Sequence, residues 1–143
     1  MKKIKWRLMA VLVIAGTMMS CSSSSALLGD NELINQLTKQ LGISQLQAMG
    51  GAGALFSLAQ EKLATEDFAK IASVVPGMDQ MIEQAKEAGG LGDTIGSLAG
   101  LSDTFTKLGL SGDQAAQLVP AVTDYVGAKG GADVGNMLAD VLK

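Results

Sequence analysis

Apolar residues recur at spacings of three and four along most of this chain, and that period predicts helices. Leu33, Ile34, Leu37 and Leu41 share one helical face, with Asp30 as the expected N-cap and Gly42 as the stop. Ser44 opens the next helix, and Gln47 three residues later completes a capping-box pattern. The tract Gly50-Gly51-Ala52-Gly53 is expected to interrupt it. A further helix, from about Ala54 to Leu63, then carries Leu55, Leu58, Ala59 and Leu63 inward.

Thr65 is the expected cap of another helix, with Glu66 and Asp67 in its first turn, where the helix dipole favours negative charge. Phe68, Ile71, Ala72 and Val75 make its apolar stripe, and Pro76-Gly77 ends it. Met78, Met81, Ile82 and Ala85 define a short helix closed by Gly89-Gly90. Leu91, Ile95, Leu98, Leu101, Phe105 and Leu108 then recur through one longer helix.

A weak internal repeat runs through this pattern. Leu41-Gly42-Ile43-Ser44 matches Leu108-Gly109-Leu110-Ser111 at an offset of 67. The same offset pairs Gln47 with Gln114, Ala48 with Ala115, Ala54 with Ala121, Lys62 with Lys129, Ala72 with Ala139 and Val74 with Val141. Both copies place a capping Ser after a Gly-broken helix, then an expected break (Gly53, Pro120), then two apolar helices. Val134, Met137, Leu138 and Val141 lie on the last of these.

Composition agrees with helices. Beyond Trp6 the only aromatic residues are Phe56, Phe68, Phe105 and Tyr125, and Leu and Ala dominate the apolar positions. Strands favour the β-branched and aromatic residues that are sparse here. The expected fold is all-α: a compact bundle of short helices, in two related three-helix half-domains joined by a central helical segment.

The first thirty residues carry a different message. Lys2, Lys3, Lys5 and Arg7 precede an apolar run from Leu8 to Met19, which stops at Ser20-Cys21 and is followed by four serines. Twelve apolar residues are too few for a bilayer span, which needs about 20, but suit the core of a secretory signal peptide. A small residue, then cysteine, then a polar tract is the pattern of a bacterial lipoprotein leader. On this reading residues 1–20 are the signal peptide, residues 21–29 are a lipidated Cys21 with a Ser-rich linker, and residues 30–143 are a single domain. Met18 and Met19 depart from the commonest residues before such a cysteine. Two other readings stand beside it: cleavage after Ala26, which releases a soluble periplasmic or secreted protein, and Cys21 as a buried residue of an uncleaved anchor.

Lipid chains on Cys21 place the protein at the membrane, since each buried methylene contributes about 0.8 kcal/mol. Ser22 is not the Asp that often retains lipoproteins at the inner membrane. The expected destination is therefore the outer membrane, facing the periplasm. One cysteine makes no internal disulfide.

Charge excludes one class of partner. The chain after residue 20 has seven lysines against fourteen acids, with no Arg and no His, a formal charge of −7. Nucleic acid binding requires cations that neutralise phosphates, so none is expected.

From about Leu33 to Leu142 the chain resembles the uncharacterised bacterial family named for the VcgC and VcgE proteins. The resemblance is carried by Leu41-Gly42-Ile43-Ser44, by Gly50-Gly51-Ala52-Gly53-Ala54-Leu55, by Phe68 through Val75-Pro76-Gly77, by Leu108-Gly109-Leu110-Ser111 and by Val119-Pro120. These are caps, turns and core positions. The resemblance therefore implies a fold and no chemistry, and the family's function is unknown.

Candidate sites are few. Gly92, Gly96 and Gly100, four apart, make a smooth helical groove for a close-packed neighbour, inside the domain or on another chain. Gly50 to Gly53 lack the Gly-Lys-Ser/Thr of a phosphate loop. Glu66 with Asp67, and Asp79 with Glu83, fit solvent-facing positions, and no run matches a calcium loop. Zinc is not expected without His or a second Cys. Ser73 and Lys70 lie on adjacent helical turns, with no His to serve as a base. No catalytic residue, cofactor or metal is therefore expected. Met78 and Met81 either fill the core or line a pliable apolar groove.

Three functions follow, in order of preference. The first is a non-catalytic envelope module that binds another envelope protein or itself. The second is a carrier or sensor for a lipid or other apolar ligand held between the half-domains. The third is an acid-only hydrolase using Asp67, Asp79 and Glu83.

Overall fold

A computed structural model of the chain describes residues 31–89 and 98–143. Among them are seven helices and no strand, as the all-α reading expects. Cys21 and the rest of the leader, and the segment with Leu91, Gly92, Ile95 and Gly96, lie outside the described residues.

The first helix, α1 (Glu32–Leu41), buries Leu33, Ile34 and Leu37. Gly42 ends it in the left-handed region at φ +63°, where its N–H reaches the Thr38 carbonyl at 3.1 Å. The N-cap position is Asn31 and not the expected Asp30, which is not described. The Asn31 carbonyl accepts from Asn35, while its side chain is drawn away to another part of the fold.

α2 (Gln45–Lys62) starts where the capping box predicts. The Gln47 N–H donates to Ser44 Oγ at 3.2 Å, and the Ser44 N–H donates to Gln47 Oε1 at 3.0 Å. The expected break at Gly50–Gly53 does not occur. α2 runs through it for 18 residues, and every residue from Ala48 to Ala59 is buried. A helix enclosed on all sides is a central helix. The glycines serve packing. A Cβ at Gly53 would overlap the Met81 carbonyl, and one at Gly51 would stand 2.6 Å from the Leu118 side chain. Each glycine costs about 0.8–1.0 kcal/mol against Ala, while burying a Leu or Phe contributes about 1.5–3 kcal/mol. Leu55, Phe56 and Leu58 sit on the same helix, essentially without exposure. Burial wins.

α3 (Thr65–Val74) begins one residue earlier than a threonine cap allows. Ala64 holds the N-cap position without a side-chain bond, because its carbonyl already accepts from Phe68. Ile71 and Val75 are buried, while Phe68 and Ala72 are half-buried. Gly77 turns the chain at φ +75°. α4 (Met78–Gly89) then lies along α2, with Met78, Met81, Ile82 and Ala85 buried as the periodicity predicts.

α5 (Leu98–Lys107) buries Leu101 and Phe105. It closes with Gly109 at φ +75°, the Gly109 N–H on the Thr106 carbonyl and the Leu110 N–H on the Phe105 carbonyl. α6 (Gly112–Gly130) repeats the capping box at Ser111 and Gln114. Pro120 lies inside α6 and does not break it. Its ring and Ala116, whose carbonyl loses a donor, are both on the exposed face. Leu118, Val122, Tyr125 and Val126 hold the other face in the core. α7 (Ala132–Val141) buries Val134, Gly135 and Leu138, leaving Met137 and Val141 half-buried.

The offset of 67 extends from residues to elements. It carries α3 onto α7 end for end, and α2 onto α6 to within one residue. Ser44 and Ser111 share φ −71° and ψ 160°. Packing crosses the two sets: α1 lies on α6 as well as α2, and α5 lies on α2 as well as α6.

Candidate functional site

Each sequence candidate among the described residues finds an ordinary structural place. Gly50 meets the Leu108 side chain and Gly53 meets α4, so the glycine tract lies inside a helix and makes no phosphate loop. Met78 and Met81 are 3% and 0% exposed and fill the core against α2. Of the three spaced glycines, only Gly100 is described, in α5, where its carbonyl accepts from Thr104 Oγ1 at 2.9 Å.

The acids do not gather. Asp67 takes the Lys70 ammonium at 2.8 Å, and Glu83 takes Lys86 at 3.4 Å, one helical turn apart in each case. Asp79 is exposed in the first turn of α4. Ser73 donates its hydroxyl to the Lys70 carbonyl at 2.7 Å, while the Lys70 ammonium is held by Asp67. That bond and the Asp67 charge raise the Lys70 pKa above its ordinary value, the opposite of what a general base needs. Among the described residues no group of three or more acids, His or Cys is placed to hold a metal. No described helix is long and apolar enough to cross a membrane. A hollow against α1 is lined, among described residues, by Glu32, Asn35, Gln36, Lys39 and Gln40, all polar.

Among the described residues, the most organised polar geometry lies at their N-terminal start. Asn31 Nδ2 donates to the Pro76 carbonyl at 2.7 Å, tying the start of α1 to the α3–α4 turn. One residue on, Glu32 Oε2 meets Lys129 Nζ at 2.7 Å, tying α1 to the last turn of α6. The Lys129 ammonium also stands 5.8 Å from the centre of the Tyr125 ring. The Glu32 bond and charge raise the Lys129 pKa. Burial raises that of Tyr125; the Glu32 charge adds to the rise and Lys129 opposes it. Gly130, next in the chain, abuts Val74 at the end of α3.

Three segments therefore converge on the domain's entry point: the start of α1, the α3–α4 turn and the α6–α7 turn. Sequence reasoning missed this cluster. Tyr125 and Lys129, four apart on one helix, were its only legible part; Pro76 and Glu32 join from distant sequence.

The arrangement is that of a helical domain whose described polar groups brace the fold. The chain belongs to the VcgC/VcgE family of proteins of unknown function (DUF2780), whose model matches residues 15–143. No curated protein and no solved structure matches it.

Proposed function

We propose that the protein is an exported cell-envelope lipoprotein, anchored through Cys21, whose helical domain is a non-catalytic interaction or structural module. One observation carries the anchor: the basic, then apolar leader that stops at Ser20-Cys21 before a run of serines. Acyl chains such as palmitate on Cys21 hold it to the outer membrane, facing the periplasm, and two or more make attachment durable. The site geometry supports a module because the described carboxylates are spent on neighbouring lysines or spread over solvent-facing turns. Its partner is another envelope protein or a second copy of the chain. The alternative is a periplasmic carrier or sensor for a lipid or other apolar ligand, for which Met78 and Met81, being inside the core, line no open groove.

Intact-mass measurement of protein from its own host tests the anchor. The expected mass begins at residue 21 and includes acyl chains; a mass starting after Ala26 would reject it. In-vivo crosslinking and light scattering test the module. A monomer that captures no stable partner would reject that half.

The recurrence at 67 residues supports a finer reading of the fold: two related three-helix units, α1–α3 and α5–α7, joined by α4.

A further inference from the structure

We draw no further inference here: the strongest candidate, the outward face of α6 around Pro120, which stands 67 residues on from the seat that α2 gives α4 at Gly53, exposes Asp113, Gln117 and Asp124 to solvent, and nothing in the structure shows what covers it.

Discussion

α2 and α6 start from the same cap and run for 18 and 19 residues, yet different neighbours close them in. On α2, Gly53 lets α4 approach until backbone nearly meets backbone at Met81. At the position 67 residues on, α6 has Pro120, exposed to solvent. The relation reverses one turn before the C-terminal ends. There α6 has Gly127, which meets Gly135 of α7; a Cβ on Gly135 would stand 2.9 Å from the Gly127 Cα. The corresponding α2 and α3 residues are Gln60 and Phe68, exposed and half-buried, and α3 makes much less contact with α2 than α7 makes with α6. Equal helices acquire different neighbours through the placing of single glycines. The glycine marks where a second backbone arrives.

The largest expected effect breaks the α2 side of this contrast. Gly53→Ala gains about 0.8–1.0 kcal/mol of helix propensity but forces α4 from its seat. A net loss of about 3 kcal/mol in urea unfolding is expected. Gly50→Ala is the control. Its Cβ meets only the end of the flexible Leu108 side chain, so it should cost less than about 1 kcal/mol.

On the α6 side, Gly135→Ala should cost about 2 kcal/mol by parting α6 from α7, again by urea unfolding. The cap positions sharpen the likeness. Ser44→Ala and Ser111→Ala should each cost about 1 kcal/mol, and by similar amounts, since their geometries agree.

The smallest effect concerns Tyr125, the chain's single tyrosine, and is read from its ultraviolet titration. Burial favours the neutral phenol, so its stabilisation is present below the unfolded pKa and lost as pH rises through the raised folded value. Lys129→Met should move the midpoint further up, and Glu32→Gln should move it down. Lys129, also raised, follows the same sense: its pairing supports the fold at lower pH and is lost as pH passes its folded value.

Much of the fold was legible because its signals are local. Ser44 with Gln47, Ser111 with Gln114, and the turning glycines 42 and 109 each act within a few residues. The Met78 to Ala85 stripe needed only a period and a buried side. The errors came where meaning depends on a distant partner. Gly50–Gly53 reads as a breaker until α4 supplies what it packs against. Pro120 reads as a stop until its exposed face shows that only a solvent-side bond is lost. Thr65 was displaced by the carbonyl of Ala64. The entry-point cluster joins residues 45 and 97 positions apart, beyond any local pattern. For the candidate site, the proposed leader and Cys21 rest on the sequence alone, since they lie outside the described residues.

The glycine-bearing stretch of α2 has a kinetic side. Three glycines in four positions leave this segment a poor helix on its own, so it has no reason to form before α4 and α6 arrive. Its amide protons should therefore exchange with solvent together, through one opening that undoes the whole domain, while exposed ends of α3 and α7 exchange by fraying. A chain whose innermost rod is its weakest local helix acquires order late and all at once.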